Sequence, residues 1–317
     1  MPNLQELIKE LIKYDHKTIL IEEAIEIFLT KSKSKTKPDT VKYYEKHLYK
    51  VLAYFSSHGV KAVEDISNDI LYKYVNHLKK RGLKNNTINK YIDCLNYALN
   101  YSLKLDYINS NPLSKFEKLP NDDIETITVD LKLVDRILNY LKSQPENLLN
   151  VQNYLILLLL IDTGIRRREL INIEIKNISI INKTIYLTRT KTNKNRYIFL
   201  SDMTVNVLKK YLELLPDRKY KYLFINCVNL NTQITDSKIN WLIHNIKKDL
   251  KIPDHVSISP HKFRHTYATA CLNNGADLVH IQKLLGHTSL RMTQRYTHKD
   301  KKLLKNEHEL YTPLNSL

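Results

Sequence analysis

Hydrophobic residues recur at three- and four-residue spacing in four stretches near the N-terminus, the pattern of helices that bury one face. Pro38 with Asp39, Ser67 and Asn86 stand at the beginnings of the last three stretches and are residue types that start helices. Four amphipathic helices can close around one core, so the pattern predicts an N-terminal four-helix bundle. The four stretches are residues 19–31, 39–57, 67–81 and 87–105.

The helical pattern breaks after residue 108. Asn109-Ser110-Asn111-Pro112 interrupts the last stretch, and Pro120 followed by polar residues is typical of an exposed linker. The chain is therefore predicted to divide into an N-terminal segment, a helical domain, a linker and a larger second domain. Their bounds are 1–18, 19–108, 109–125 and 126–317.

The second domain begins with helical spacing and then changes period. Apolar and polar residues alternate between Asn172 and Leu200, which predicts a small antiparallel three-stranded sheet with Lys191 at a hairpin tip. The fold class is therefore mainly α (α+β), a helical bundle followed by a mostly helical domain with a small sheet. The further helical stretches are near residues 130–143, 149–162, 203–215, 235–249, 260–273, 277–285 and 300–310.

The amino-acid composition indicates a class of binding partner. The chain has 317 residues, 43% of them hydrophobic, which is enough to bury two ordinary cores. Its 50 basic and 33 acidic residues give a net charge of +17, which favours a polyanion such as nucleic acid as partner. Lys, Asn, Ile and Tyr are also abundant, as in AT-rich coding sequences, so charge alone leaves a compositional explanation open.

Cysteine spacing and hydropathy exclude several classes of protein. Cys94, Cys227 and Cys271 lie far apart without a C-x-x-C pair, which indicates buried thiols and not a disulfide framework or zinc ribbon. The first 20 residues lack the apolar stretch of a secretory signal. The longest apolar run, Leu155 to Ile161, is far shorter than the ~20 residues that cross a bilayer. We expect a soluble cytoplasmic protein without a membrane partner.

A set of cationic side chains and one phenol stands out in the second domain. Arginine's planar fork can hold phosphate oxygens, lysine or histidine can carry a proton to a leaving oxygen, and tyrosine can bond covalently to phosphorus. These residue types predict attack on a phosphodiester with no metal ion and no cofactor. Glu169 is predicted to orient a neighbouring arginine and not to act as an acid. The candidate catalytic residues are Arg166, Lys191, His261, Arg264, His287 and Tyr296.

Each candidate also has an ordinary explanation. Arg166-Arg167-Arg168 taken alone is more often a solvated basic face, and the spacing of His261 and Arg264 on one helix face often occurs by chance. His261 and His265 have the spacing of a zinc-binding pair, but Lys262 replaces the glutamate that such sites use as base. We therefore predict no metal site. Any one of 21 tyrosines is more often packing material than a nucleophile.

Five segments taken together resemble the tyrosine recombinases, the phage integrase and Xer-like class of site-specific recombinases. Each segment alone is weak evidence for the family, but the five occur in the family's order and at family-like spacing over about residues 160–298. The N-terminal bundle is similar to the family's core-binding, SAM-like domain in length and helix count. The segments are T-G-I-R-R-R-E-L, T-K-T-N-K-N-R-Y-I-F-L, H-K-F-R-H-T-Y-A-T, N-N-G-A-D-L-V-H-I-Q-K-L-L-G-H-T-S-L and T-Q-R-Y-T-H.

The resemblance implies a role for each candidate in a catalytic domain. Arg166 and Arg264 would clamp the scissile phosphate, and His261 and His287 would complete the cradle around it.

The covalent step would fall to two further residues. Lys191 would be the general acid for the departing 5′-hydroxyl, and Tyr296 the nucleophile that forms a 3′-phosphotyrosyl link. Rejoining would then need neither ATP nor metal, because the bond energy is kept in the ester.

The resemblance also implies partners. Double-stranded DNA is expected at two duplex sites, held by a tetramer, with accessory DNA-bending or excision factors as further candidates and the nucleoid as location. The C-terminal tail would either pass to a neighbouring protomer or form a helix that packs on its own protomer. The biological task would be integration or excision of a mobile element, or resolution of DNA dimers. Two alternatives stay open: a topoisomerase IB-like DNA relaxer and a catalytically silent DNA-binding regulator.

Overall fold

The computed structural model describes residues 19–122, 128–188, 195–216 and 219–286. These residues form two compact units, one within Met1–Ile124 and the other within Glu125–Leu317. Helices dominate both units, and the second also contains a three-stranded antiparallel sheet. The predicted mainly α (α+β) fold class is confirmed. None of the described helices is long and apolar enough to cross a membrane.

The described part of the first unit is built on four helices with a shared core. Pro38 is the first residue of its helix, and the Ser67 hydroxyl accepts a hydrogen bond from Ile70 N–H (3.3 Å) at the next helix start. Apolar residues at helical spacing, such as Leu48 and Phe55, are fully buried. The helices are α1 (Ile21–Lys35), α2 (Pro38–Ser57), α3 (Asn68–Lys80) and α4 (Asn85–Lys104).

Much of the stretch predicted as an exposed linker lies against this bundle. The Asn89 side chain on α4 donates to Leu119 O (2.9 Å) and accepts from Leu119 N–H (3.1 Å), and Leu113 is buried in the core. Leu113 and Leu119 lie outside any helix or strand, so the helical and strand patterns along the sequence did not reveal their contact with the bundle.

The described part of the second unit contains seven helices and the sheet. The described helices lie close to the predicted stretches, and a short helix, α7, forms directly after the Gly164 turn. The predicted helix at 300–310 lies outside the described residues. The helices are α5 (Leu131–Lys142), α6 (Leu148–Thr163), α7 (Arg167–Ile171), α8 (Asp202–Leu214), α9 (Asp236–Asp249), α10 (Pro260–Asn273) and α11 (Leu278–Leu285), and the strands are β1 (Ile178–Ser179), β2 (Thr184–Leu187) and β3 (Arg196–Phe199).

Helix α6 forms the centre of the second unit. Its residues 155–160 are all apolar and at most 3% exposed, as expected of a helix surrounded by other elements. Helices α5, α8 and α10 pack against it. The C-terminal end of α6 is therefore fixed from several sides, and this end supports the candidate site.

The sheet has the order β1-β2-β3, with β2 antiparallel to both neighbours. Ile185 pairs with Ile198, and both are buried. Because side chains alternate between the two faces of a strand, Arg196 lies on the same face of β3 as Ile198. An arginine thus stands at a register position that faces the core.

Candidate active site

The site is built around the turn that ends α6. Gly164 occupies the helix C-cap with φ of 57°, in the left-handed region that glycine adopts without strain. A Cβ at this position would lie 2.7 Å from Tyr267 Cδ1 and 2.9 Å from Leu285 Cδ2. The absence of a side chain therefore allows α10 and the end of α11 to approach the turn closely.

Arg166 follows this turn and caps the start of α7. Its backbone N–H donates to Glu169 Oε2 (3.1 Å) and its Nη1 donates to Glu169 Oε1 (2.9 Å). Its Nη2 donates to Gly286 O at the end of α11 (3.1 Å). Helix α7 has only five residues, so affinity for an anion rests here on the guanidinium group and not on a long helix dipole.

Glu169 is a buried carboxylate shared by two arginines. It is 3% exposed, and besides Arg166 it accepts two bonds from Arg196, from Nη1 (2.8 Å) and Nη2 (2.7 Å). Burial alone would raise the pKa of Glu169, but the hydrogen bonds and charge of Arg196 and then of Arg166 outweigh it and hold the pKa below its usual value. Glu169 is thus an ionised group that orients arginines, as predicted.

Arg196 is the residue at this site that sequence reasoning missed. Arg196 stands in the segment T-K-T-N-K-N-R-Y-I-F-L, where the sequence presents it as an ordinary polar position beside a strand. The signal was its register: it shares a strand face with Ile198, and a charge facing a core needs a partner. That partner, Glu169, lies 27 positions away along the chain.

Arg264 joins two helix ends. It lies on α10, whose start is set by Pro260 and by the Ser259 hydroxyl, which accepts from Lys262 N–H (3.2 Å). Arg264 is 5% exposed and donates from Nη1 to Gly164 O (2.6 Å) and from Nη2 to Leu285 O (2.7 Å). Carbonyls at helix C-termini lack intrahelical partners and carry partial negative charge, so a buried cation is favourable there.

The structure brings Arg166 and Arg264 to the same turn, because they donate to the carbonyls of consecutive residues, Gly286 and Leu285. His261 lies on the first turn of α10, one helical turn before Arg264, and is exposed. Three further predicted residues, Lys191, His287 and Tyr296, lie outside the described residues.

The electrostatic balance of this cluster suits an anion. Arg166 and Arg196 share the single charge of Glu169, and Arg264 adds a third guanidinium group at the same turn, which leaves a local excess of two positive charges. Backbone carbonyls and Glu169 fix the plane of each guanidinium group. Such preoriented donors can stabilise charge that develops on a phosphate during reaction.

The cluster contacts one tyrosine that the candidate set does not include. Tyr267 packs on the Gly164 turn, where burial, and then the Cys271 thiol, raise the pKa of its phenol well above the usual value. Such a phenol stays protonated and is a poor nucleophile. Among the described residues, no group of three or more His, Cys, Asp or Glu side chains is placed to hold a metal ion.

Comparisons with known proteins cover both units. Residues 128–302 match the phage integrase family, and residues 20–119 match the phage integrase SAM-like domain. A tyrosine recombinase XerC from Staphylococcus carnosus is 31% identical over 281 residues, covering 81% of this chain and 92% of that protein. A probable integrase/recombinase of Acholeplasma phage L2 is 29% identical over 271 residues, covering 84% of this chain and 87% of that protein.

Two solved structures share the fold. A Tn1549 transposon integrase in complex with transposon right end DNA has a TM-score of 0.75 at 17% identity, covering 90% of this chain and 98% of that chain. A XerH site-specific recombinase bound to a palindromic difH substrate has a TM-score of 0.74 at 21% identity, covering 92% of this chain and 84% of that chain.

Proposed function

Because the chain belongs to the phage integrase family of tyrosine-type site-specific DNA recombinases, we propose that it cleaves and rejoins duplex DNA through a 3′-phosphotyrosyl intermediate on Tyr296. The observation that carries the proposal is the pair of arginines, Arg166 and Arg264, fixed at one turn with a local excess of positive charge. The scissile phosphate is the anion that this pair would hold.

In the proposed reaction the two arginines bind the non-bridging oxygens of the phosphate, with His261 and His287 completing the cradle. Their guanidinium planes are held by backbone carbonyls before DNA binds, so little reorganisation opposes the reaction. His287 directly follows Gly286, whose carbonyl accepts from Arg166, so the covalent chain supports its assignment.

The covalent step uses the two remaining candidates. The phenol of Tyr296 releases its proton to solvent water and its oxygen attacks phosphorus. The bond from phosphorus to the 5′-oxygen breaks, and Lys191 donates a proton to that oxygen. A new 5′-hydroxyl reverses these steps and releases the tyrosine. Tyr296 is nine residues beyond His287, a span that an extended chain covers over up to about 30 Å, so connectivity allows it to reach the phosphate.

Duplex DNA is the proposed partner. The net charge of +17 supports binding that releases counterions from the DNA, and fold neighbours of this chain have been solved in complex with DNA. Within the proposal, four protomers act on two duplexes and the segment after Tyr296 docks on a neighbouring protomer. Accessory DNA-bending or excision proteins would set the direction of the reaction.

The experiment that tests this function traps the covalent intermediate. Overlapping duplexes tiled across the DNA that flanks the gene are first screened for complexes that survive detergent. The reactive duplex is then nicked beside the cleaved phosphate, so that the short 5′-hydroxyl fragment diffuses away and rejoining stops. The wild-type protein is expected to accumulate a 3′-linked complex, and Tyr296→Phe to bind the duplex without forming it.

Tyr311→Phe is the matched control and is expected to form the complex like the wild type. An adduct that persists in Tyr296→Phe would disprove the assignment of the nucleophile. Binding of the wild type without any covalent complex would instead favour a silent DNA-binding regulator, and relaxation of supercoils without strand exchange would favour a DNA relaxer.

A further inference from the structure

Arg196 has a more specific arrangement than a surface ion pair. Its guanidinium group binds both oxygens of Glu169, at 2.8 and 2.7 Å, and the side chain is only 10% exposed. Two parallel bonds to one carboxylate fix both groups in orientation as well as in distance. Arg196 therefore determines where the Glu169 oxygens lie.

A second contact places Arg196 against the turn that follows α11. Gly286 has φ of 64°, and a Cβ added there would lie 3.0 Å from Arg196 Cδ and 3.1 Å from its Nη1. The carbonyl of this same Gly286 accepts from Arg166. Arg196 thus binds the Glu169 carboxylate and fills the space beside Gly286, and these are the two groups that hold Arg166.

The charge of Arg196 determines how much positive charge Arg166 can offer to a phosphate. A lone Arg166–Glu169 pair would be neutral, and Arg166 would have little net charge to offer a phosphate. With Arg196 present, the carboxylate is already neutralised, so the charge of Arg166 remains available while Glu169 still fixes its position. The buried Nε of Arg196 has no hydrogen-bond partner among the described residues, a cost that functional sites accept more often than cores do.

We propose that Arg196 is a positioning residue for the phosphate clamp: it fixes and neutralises Glu169, and Glu169 in turn holds Arg166 in place for the scissile phosphate. This inference rests on the proposed function, since it concerns the same site. Arg196 acts through Glu169 and does not itself contact the phosphate.

The test measures single-turnover cleavage by Arg196→Gln at saturating concentrations of the nicked duplex defined above. Displacing a catalytic group by about 1 Å can cost a hundredfold in rate, so we expect cleavage about 10- to 100-fold slower than in the wild type. DNA affinity is expected to change by less than about threefold, because Arg166 and Arg264 keep their charges. Arg136→Gln is the matched control, since Arg136 is an arginine of the same unit that donates to a helix-end carbonyl, Leu250 O (2.7 Å), and not to Glu169, and this variant is expected to cleave normally.

A double variant tests whether Arg196 acts through Glu169. In a Glu169→Gln background the carboxylate is already lost, so adding Arg196→Gln is expected to slow cleavage by less than about threefold further. A full additional loss of 10-fold or more would overturn the proposal, because it would mean that Arg196 acts directly on the DNA.

The pH dependence of cleavage distinguishes this role from a purely structural one, which would leave it unchanged. The charged groups placed against the Glu169 carboxylate in the described residues are the guanidinium groups of Arg166 and Arg196. Without Arg196, burial of Glu169 is opposed by Arg166 alone, so the pKa of Glu169 rises. The loss of cleavage on acidification should therefore begin at higher pH in Arg196→Gln than in the wild type, and an unchanged acid limb would contradict the proposal.

Two further controls separate the ways in which the test can fail. Arg196→Lys keeps the charge without the two-bond fork and is expected to recover only part of the rate, and the fluorescence of Trp241 reports whether each variant is folded. Replacing the leaving 5′-oxygen by sulfur should not rescue Arg196→Gln, and rescue would show that Arg196 acts through the Lys191 hairpin instead. Normal cleavage by Arg196→Gln would overturn this inference alone, whereas a wild type that forms no Tyr296 adduct would overturn the proposed function with it.

Discussion

Arg264 is predicted to stabilise the fold as well as to bind phosphate. It donates to Gly164 O (2.6 Å) and Leu285 O (2.7 Å) from a side chain that is 5% exposed. A hydrogen bond from a charged group contributes about 1.5–3 kcal/mol, so Arg264→Ala is expected to lower the free energy of unfolding by about 3–5 kcal/mol. Arg264→Lys can retain one of the two bonds and is expected to lose about half as much.

The assay is urea unfolding followed by tryptophan fluorescence. The chain has one tryptophan, Trp241, which lies on α9 in the second unit, so its signal reports the unit that contains Arg264. With an m value of about 2 kcal/mol/M, the loss expected for Arg264→Ala moves the unfolding midpoint down by about 2 M. His261→Ala is the control, because His261 is exposed one helical turn away and its loss should change stability by less than about 0.5 kcal/mol.

The result that would refute this reasoning is an Arg264→Ala midpoint equal to or above that of the wild type. Removing a residue that serves only to bind substrate commonly leaves stability unchanged or raises it, because unpaired charge is relieved. Such a result would mean that the bonds to the two helix ends add nothing to the fold, and that Arg264 is held in place by its surroundings.

Two further predictions concern the turn at Gly164 and the hairpin lysine. Gly164→Ala is expected to destabilise the second unit by about 2–4 kcal/mol. The left-handed backbone costs alanine about 1–2 kcal/mol, and the new methyl group collides with Tyr267. Urea unfolding measures this loss of stability. Gly275→Ala, with φ of +84° and open space around it, should show only the backbone cost, and equal effects would refute the collision. Lys191→Ala should lose cleavage on the ordinary duplex and recover it when sulfur replaces the leaving 5′-oxygen, because a thiolate leaves without a proton. Arg166→Ala should cleave roughly a hundredfold more slowly or worse, and sulfur should not restore its rate. The opposite rescue pattern in single-turnover assays would reverse the assigned roles.

Much of the local structure follows from the sequence alone. The helices of both units appear within a few residues of their predicted stretches because apolar spacing and capping residues act over one or two turns. Gly164 ends helix α6 in the left-handed conformation that glycine commonly adopts at a helix C-terminus. Glu169 is predicted to orient a neighbouring arginine, and it binds Arg166, which lies only three residues before it in the chain.

The arrangement of the site required the tertiary structure. Arg166 meets Gly286 across 120 positions, and Arg264 meets Gly164 across 100, so no local pattern could reveal these bonds. The sequence presents Arg196 as an ordinary polar residue of an alternating strand until its face is known, and the buried part of residues 109–122 belongs to no helix or strand. The family motifs named the residues of the proposed chemistry, and Lys191, His287 and Tyr296 remain predictions from them. The chemical type of each side chain follows from the sequence. The orientation of these side chains depends on where separate helix ends and strands meet, which only the packing of the whole unit decides.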